Sequence, residues 1–348
     1  MLDDANVLRQ RDSKNALGVA ASEYQLLAGP IELMQSDHDS RPINNVALVG
    51  LGNCGLAAGV VQALLAPTLA VPLQVVQDGE LPQFVGRSTL LVLASNSGDN
   101  TEVLSCAQQA LARQDQPQIA IITGGGTLKD IAVSNDILYT TVPGDVPGRF
   151  ALLHMVKGLL SVLDMFDLGA RALLDEVAAS AEWLHNETLF WEQGVPTAQN
   201  YAKQLALIAV GKTPVFYAGP RTAPLAGVWK ARFNQIAKNV AFAAAYPAAT
   251  YTELHGWKSH PVEKPFAVFD LWSEFETESV QKQFKQADKR LSGKRPKANV
   301  VALQGESLAR QILWGCALAD FVGIYVAILN GVNPAKVEQI ERLKKELQ

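Results

Sequence analysis

The chain has 348 residues, of which 48% are hydrophobic and 18% are charged, so it is long enough for two globular domains and apolar enough to bury a core in each. This composition excludes a disordered chain, a collagen and a coiled coil. The 30 Lys and Arg residues and the 34 Asp and Glu residues give a net charge of −4 and form no basic stripe, so we expect no nucleic-acid partner.

After a helical lead-in at 15–34, short β-branched runs alternate with longer amphipathic runs, which is typical of a parallel sheet with crossover helices. The predicted strands are apolar on both faces, so helices should cover both sides of the sheet. Strands are predicted at 46–49, 73–76, 89–94, 119–122 and 137–141. Helices are predicted at 56–65, 101–113, 128–133 and 151–166.

The pattern then starts again after a long connecting helix at 170–193. Strands are predicted at 214–219, 265–269 and 299–303, and helices at 228–244 and 306–329. Asn333 and Pro334 should cap and open a last, charged helix that runs through Lys344. We therefore predict two similar doubly wound parallel-sheet α/β domains with helices on both faces. The predicted parts are a lead-in at 1–40, a first domain at 41–168, a connecting helix at 169–200 and a second domain with the C-terminal helix at 201–348.

Location and metal binding can also be judged from the sequence. The most apolar stretch, 316–329, contains Asp320 and is shorter than the roughly 20 apolar residues of a membrane helix. The N-terminus is acidic where a secretory signal is basic and then apolar. We expect no membrane partner and a cytoplasmic protein. The three cysteines, Cys54, Cys106 and Cys316, are widely spaced, so we expect neither a disulfide framework nor a metal site.

A glycine-rich turn at 50–55, with the sequence GLGNCG, follows the first strand and opens a helix. Backbone N–H groups at such a turn can approach an anion. The turn also fits a dinucleotide fingerprint, but the acidic residue required about 20 positions later would be Asp78, which lies beyond the strand between Gln77 and Gly79. A nicotinamide site, a purely structural turn and a phosphate-binding turn all remain open, and the phosphate-binding turn is favoured. We expect no cofactor.

A second loop, 95–102 with the sequence SNSGDNTE, separates the third strand from its helix. Its hydroxyls, its glycine and the free N–H groups of the helix start can surround a phosphate ester. Asn100 or Thr101 should cap the helix in any case. Capping does not need both Ser95 and Ser97, so this loop favours phosphate binding.

These two loops, the segment 123–128 (TGGGTL), the segment 142–149 and the segment 229–238 (WKARFNQIAK) follow one another in an order that resembles the bifunctional phosphoglucose/phosphomannose isomerase family. The resemblance runs from about Ala47 to the C-terminus. It implies two sugar-isomerase (SIS) domains and aldose–ketose isomerisation of glucose-6-phosphate or mannose-6-phosphate to fructose-6-phosphate. It also implies a homodimer in which the partner subunit helps to build the site.

The resemblance also implies roles for single residues. Cys54 stands where the family has a phosphate-binding serine, and Asp99 or Asn100 resembles a one-residue insertion, so the place of the family threonine falls on Asn100 or Thr101. Arg149 resembles the arginine that stabilises the enediolate, and Lys344 resembles a lysine near the family's C-terminus, although an exposed helix-end lysine is equally expected. The implied phosphate-binding residues are Gly52, Asn53, Cys54, Ser95, Ser97, Asn100 and Thr101.

Two positions depart from the family pattern. Gln235 replaces the glutamate that moves a proton between C1 and C2, and Tyr251 replaces the ring-opening histidine. Neither an amide nor a tyrosine is a useful proton shuttle at neutral pH. Glu253 and His255 are the nearby titratable residues that could take over. The alternatives are an isomerase with weakened activity, a sugar-phosphate sensor without catalysis, and an isomerase for a different phosphosugar.

Overall fold

The computed structural model describes residues 1–35, 38–144, 146–258 and 265–347. The chain forms two compact units. We call residues 23–183 the first domain, and residues 1–22 together with 184–348 the second domain. The start of the chain therefore packs with its second half, whereas the sequence predicted a separate lead-in at 1–40.

The lead-in contains three short helices in place of the predicted run at 15–34: α1 (Ala5–Arg11), α2 (Ala16–Ser22) and α3 (Gln25–Ala28). Asp12 separates the first two, because its carboxylate accepts hydrogen bonds from the backbone N–H groups of Ala16 (2.7 Å) and Leu17 (2.9 Å). α3 ends at Gly29, and the following Pro30 lacks the N–H that a continuing helix needs.

The first domain contains a parallel sheet of five strands in the order β2-β1-β3-β4-β5. Gly50 at the end of β1 lies opposite Ala94 near the end of β3. The strand order reverses between β1 and β3, which makes their carboxyl ends a topological switch point. The strands are β1 (Asn45–Gly50), β2 (Leu73–Val76), β3 (Thr89–Ser95), β4 (Gln118–Thr123) and β5 (Leu138–Thr141).

Helices follow the strands of the first domain as predicted. α4 begins earlier than expected, at Asn53, so Cys54 lies in its first turn. The helices are α4 (Asn53–Leu65), α5 (Thr101–Ala112), α6 (Gly126–Ser134), α7 (Leu152–Met165) and α8 (Arg171–Ala179).

The connecting segment also differs from the single predicted helix. α9 (Ala181–Leu189) follows α8 after Ser180, whose hydroxyl donates to the carbonyl of Glu176 at 2.7 Å. A serine that bonds back to the preceding turn bends a helix. The boundary between the two domains falls within α9.

The second domain contains a parallel sheet of four strands in the order β7-β6-β8-β9. The sequence predicted a helix through 228–244, but α11 (Ala223–Gln235) ends earlier and 242–245 pairs with β6. Lys238 adopts a left-handed φ of 52°, which ends the helical run, and strand pairing overrides the helix propensity of the alanines that follow. The strands are β6 (Thr213–Ala218), β7 (Phe242–Ala245), β8 (Phe266–Trp272) and β9 (Asn299–Ala302).

Three other helices of the second domain, at 201–209, 248–252 and 278–290, were not predicted from the sequence, and the last helix, at 338–347, starts later than predicted. Asn333 accepts a hydrogen bond from the N–H of Ala335 (2.9 Å) and so caps a turn before the helix. The remaining helices are α10 (Tyr201–Ala209), α12 (Ala248–Thr252), α13 (Glu278–Arg290), α14 (Leu308–Leu329) and α15 (Glu338–Leu347).

α14 is longer than the apolar stretch seen in the sequence. Its 22 residues pass the length and composition test for a membrane span, but 94% of its most apolar window is buried within the fold. Its one acidic residue, Asp320, pairs with Arg232 of α11 at 2.6 Å, and both side chains are buried. α14 therefore has the surroundings of a core helix.

Candidate functional site

The turn after β1 brings the start of α4 to the switch point of the first sheet. Gly52 is the N-cap of α4 and has a φ of 56°, in the left-handed region that favours glycine. A β-carbon at Gly50 would lie 2.9 Å from the Cβ of Cys54, so the turn also needs its first glycine. Asn53 and Cys54 follow in the first helical turn, with Cys54 buried. Among the described residues, no side chain caps α4.

The loop after β3 lies beside this turn, because β1 and β3 are paired. The Ser95 hydroxyl is buried and accepts a hydrogen bond from the N–H of Gly98 at 3.1 Å. Ser97 is exposed, and its hydroxyl accepts a long hydrogen bond from the N–H of Asp99 at 3.4 Å. Each hydroxyl still has a proton that it can donate. Both serines are therefore suited to donating to an anion.

The structure answers which residue caps α5. Asn100 is the N-cap, and its side chain accepts from the N–H of Val103 at 3.0 Å. Thr101 is exposed and donates its hydroxyl proton to the carboxylate of Glu102 at 3.1 Å. The side chain of Asp99 turns toward α6, where it accepts from the N–H and the hydroxyl of Thr127, both at 2.9 Å. No motif in the sequence predicts this contact of Asp99.

Arg149 lies in a short 3-10 turn, Gly148–Phe150, that contacts both loops. The side-chain amide of Asn53 donates to the carbonyl of Gly148 at 2.7 Å. A β-carbon at Gly148 would lie 2.6 Å from the amide nitrogen of Asn96, so the loop after β3 approaches this turn closely. The guanidinium carbon of Arg149 lies 5.7 Å from the centre of the Phe150 ring. Asn96 is not among the site residues predicted from the sequence.

The predicted phosphate-binding residues therefore gather at one edge of the first domain. We call residues 52–54, 95–101 and 148–149 the first cradle. α4 and α5 both begin at this edge, after the paired strands β1 and β3, and Arg149 adds a full charge, so the edge favours an anion. The residues brought together are Gly52, Asn53, Cys54, Ser95, Ser97, Asn100, Thr101 and Arg149.

The remaining candidates belong to the second domain. Gln235 is the last residue of α11 and lines a cavity of about 910 Å³ together with Lys238, Asn333 and Lys336. Lys344 lies in α15, and its side chain is outside the described part of the chain. The described lining of this cavity does not include Tyr251, Glu253 or His255.

Tyr251 and His255 are exposed, Tyr251 to 83%, whereas Glu253 is held in place. Its carboxylate accepts a hydrogen bond from the Tyr217 hydroxyl at 2.6 Å, and that hydroxyl accepts one from the Trp257 indole N–H at 3.1 Å. Burial raises the pKa of Tyr217 above its usual range, so the phenol remains a donor. Tyr217 is not among the predicted site residues, because a residue within an apolar strand pattern is predicted only to lie in the core.

Similar proteins are known at the level of sequence and of structure. Residues 198–347 match the family described as the bacterial phospho-glucose isomerase C-terminal SIS domain. A bifunctional phosphoglucose/phosphomannose isomerase of Aquifex aeolicus is 27% identical over 311 residues, which are 89% of this chain and 92% of that protein. A D-glucosamine-6-phosphate 4-epimerase of Sulfolobus acidocaldarius is 26% identical over 214 residues, 62% of this chain and 64% of that one. A glucose-6-phosphate isomerase like protein from Thermus thermophilus superimposes with a TM-score of 0.67 at 21% identity, over 99% of this chain and 98% of that one.

Two parallel sheets flanked by helices give the chain an α/β fold like that of the sugar-isomerase (SIS) domains, with the family match at 198–347, and the predicted fold is confirmed. Within that class the chain is a homologue of the bifunctional phosphoglucose/phosphomannose isomerases, several of which share 22 to 27% identity with it. The resemblance inferred from the order of the motifs is thereby confirmed.

Proposed function

We propose that the protein binds a phosphorylated hexose with the phosphate in the first cradle. The observation that carries this proposal is the convergence of the starts of α4 and α5 with the Gly148–Phe150 turn at the switch point of the first sheet. Backbone N–H groups, two serine hydroxyls and Arg149 can surround the phosphate oxygens. Ligands of doubly wound α/β sheets bind at such switch points.

The isomerases among its relatives suggest the sugar and the reaction. In aldose–ketose isomerisation a base takes the proton from C2 of an open-chain aldose phosphate, which leaves an enediolate. The O2 hydroxyl proton then moves to O1 and the carbon-bound proton returns at C1, which gives the ketose with its carbonyl at C2. A guanidinium such as that of Arg149 stabilises the negative enediolate oxygen. We therefore propose glucose-6-phosphate, mannose-6-phosphate and fructose-6-phosphate as the ligands to test first.

The acid–base residues support binding with little turnover. Gln235 has no basic atom for the C2 proton, and Tyr251 points its phenol into solvent with 83% of its surface exposed. Glu253 and His255 are the titratable groups nearby in sequence, and the Glu253 carboxylate is bound by Tyr217. We propose a protein that retains phosphosugar binding and isomerises slowly or not measurably, as a sensor of phosphosugar would.

The decisive experiment replaces both serines of the first cradle. Ser95→Ala with Ser97→Ala should abolish the rise in melting temperature that hexose phosphates give the wild-type protein, because both hydroxyl donors are lost. Ser134→Ala, which removes an exposed hydroxyl at the end of α6 in the same domain, is the control and should leave the rise unchanged. Equal shifts in the double variant and the wild type would remove this loop from the site.

The same assay identifies the sugar. Hexose phosphates, aminohexose phosphates and N-acetylated aminohexose phosphates should be compared at one concentration. The similarity to a glucosamine-6-phosphate epimerase favours the aminohexose phosphates as the second candidate class. A shift with inorganic phosphate that no sugar phosphate exceeds would argue against a phosphosugar ligand.

We also propose a homodimer in the cytoplasm. The homology to the isomerases motivates the dimer, and Leu189 and Phe190, at the end of the connecting segment, expose 43% and 64% of their surface. Apolar side chains of this size are often covered by a partner. Light scattering at micromolar concentration should give about twice the 37.5 kDa of one chain, and a mass near 37.5 kDa would contradict the proposal.

A further inference from the structure

The switch point of the second sheet holds an acidic side chain. The strand order β7-β6-β8 reverses at β6 and β8, so the turn after β6 and the loop after β8 lie side by side as in the first sheet. Glu276, from the loop after β8, is 4% exposed and accepts hydrogen bonds from the N–H and the hydroxyl of Thr222, both at 3.0 Å. Thr222 is the N-cap of the 13-residue helix α11.

The surroundings of this carboxylate are those of an anion site. The backbone N–H and the guanidinium of Arg221 also act on it and, with the Thr222 hydrogen bonds, oppose the rise in pKa that burial gives the Glu276 carboxyl. A β-carbon at Gly219 would overlap the carboxyl group, so the glycine leaves room for it. We call residues 219–222 the second cradle.

Glu276 comes from the loop that corresponds to the loop 95–101 of the first domain. In the first domain that loop brings neutral serines to the start of α4. In the second domain it brings a carboxylate to the start of α11. This carboxylate has the N–H partners and the space beside a glycine that a bound phosphate would use.

We propose that the second cradle is a latent phosphate site that Glu276 occupies, so that each chain binds one phosphosugar, in its first domain. The Glu276 carboxylate accepts the hydrogen bonds of Thr222 at the positive end of α11, and the nearby Arg221 guanidinium donates to the carbonyl of Phe275 at 2.6 Å. An incoming phosphate would meet this charge and the filled space. The comparison with the first cradle rests on the proposed function, whereas the occupation of the second cradle is tested separately below.

Glu276→Ala should open the second cradle to inorganic phosphate, and Glu276→Gln is the matched control, because its amide oxygen still fills the space and accepts from Thr222. Both are made in the wild type and in the Ser95→Ala, Ser97→Ala protein. In the doubly substituted background Glu276→Ala should restore a phosphate-dependent rise in melting temperature. The Glu276→Gln variant should not show this rise, and chloride at the same concentration should not produce it in Glu276→Ala. Five of the six tryptophans lie in the second domain, so their fluorescence reports its unfolding.

In the otherwise wild-type protein, calorimetry should show the stoichiometry for inorganic phosphate rise from one to two per chain with Glu276→Ala. A stoichiometry that stays at one, together with no restored shift, would overturn the proposal. If Glu276→Ala is poorly folded, phosphate must refold it, and a variant that stays unfolded at every phosphate concentration also counts against the proposal. A wild-type protein that binds no phosphate, beside a Glu276→Ala protein that binds one, would contradict the proposed function alone.

Gly219→Ala gives a second measurement. In the wild type its β-carbon overlaps the Glu276 carboxyl and should lower the melting temperature, whereas in the Glu276→Ala protein the space is empty and the loss should be much smaller. Equal losses in both backgrounds would show that Glu276 does not fill the cradle in solution.

Discussion

The two sheets provide the same feature twice and use it differently. In both, a central strand ends at a glycine turn beside the loop of the strand across the switch point, and a long helix begins there. At α4 the first cradle offers N–H groups, neutral donors and Arg149, whereas at α11 a buried carboxylate already accepts the hydrogen bonds of the N-cap Thr222. The fold therefore supplies the cradle, and the loop after the third strand decides whether it is open.

Asp99 shows the same principle within one loop. Its carboxylate reaches α6 and caps Thr127, so the one acidic residue inside 95–101 satisfies a different helix. Had it turned to α5, its charge would oppose a phosphate at the first cradle. The extra residue in this loop is thus compatible with an open anion site.

The largest expected effect tests the proposal that Gln235 and Tyr251, both in the second domain, leave the protein with little isomerase turnover. Gln235→Glu with Tyr251→His should raise the rate of glucose-6-phosphate and fructose-6-phosphate interconversion by about 10²–10⁴ over a wild-type rate that is weak or not measurable. A coupled assay on purified protein checks this.

The control for this gain is the same pair in the Ser95→Ala, Ser97→Ala background, where the rate should stay at the wild-type level because the phosphate is no longer held. A wild-type turnover within roughly 1–10³ per second would contradict the prediction. Glu253→Ala and His255→Ala would then each have to remove that activity.

The sequence predicted which strands precede the glycine turn and the serine loop, and with them the residues of the first cradle, because these strands are visible as apolar runs. It could not show that Glu276 fills the second cradle, since a glutamate just before a helix is the ordinary pattern of a charged first turn. Tyr217 and Asp270 lie opposite each other on β6 and β8. Both stand within apolar runs of the sequence, which predict a buried strand but not a polar contact. β7 was missed because 242–245 is mostly alanine, so its strand state depends on the neighbouring strand.

Breaking the buried pair of the second domain should give the next largest effect. The helix after β6 carries Arg232 bound to Asp320, whereas the buried residues of its counterpart α4 are uncharged. Arg232→Met leaves the Asp320 carboxylate buried without its cation and should lower the free energy of unfolding by about 3–5 kcal/mol. Urea unfolding followed by tryptophan fluorescence measures the loss.

Adding Asp320→Leu to Arg232→Met provides the control, because removing both charges should recover most of that loss. If the changes in the free energy of unfolding from the two substitutions were additive, Arg232 and Asp320 would not interact in solution. Stabilisation of the first domain by hexose phosphates should survive in both variants.

Asp270 should make the stability of the second domain depend on pH. Burial raises its pKa to about 7, although the charge of Arg295 opposes the rise, and its Oδ1 has no hydrogen-bond partner among the described residues. The folded state therefore holds this proton at a pH where the unfolded chain, with a pKa near 3.9, releases it. Stability is greatest below about pH 4 and falls as the pH rises to about 7, by up to about 1.4 kcal/mol per pH unit.

Asp270→Asn should remove this slope, and the difference between the unfolding free energies of wild type and variant across this range isolates it. Asp288→Asn removes the neighbouring negative charge that raises the pKa of Asp270, so the fall in stability should end at a lower pH. Parallel curves for wild type and Asp270→Asn would show that Asp270 is ionised throughout.

The smallest expected effect tests how the first cradle is assembled. Asn53 donates to the carbonyl of Gly148 and so fixes the turn that carries Arg149 beside α4. Asn53→Ala removes one hydrogen bond worth about 1 kcal/mol, which should weaken binding of hexose phosphate about fivefold. Asn135→Ala is the matched control, because Asn135 makes the same kind of bond to the carbonyl of Ile131 at 2.9 Å at the far end of α6 and should leave affinity unchanged. Calorimetric titration of both variants decides, since a purely structural role for Asn53 would lower the melting temperature without changing the affinity of the folded protein.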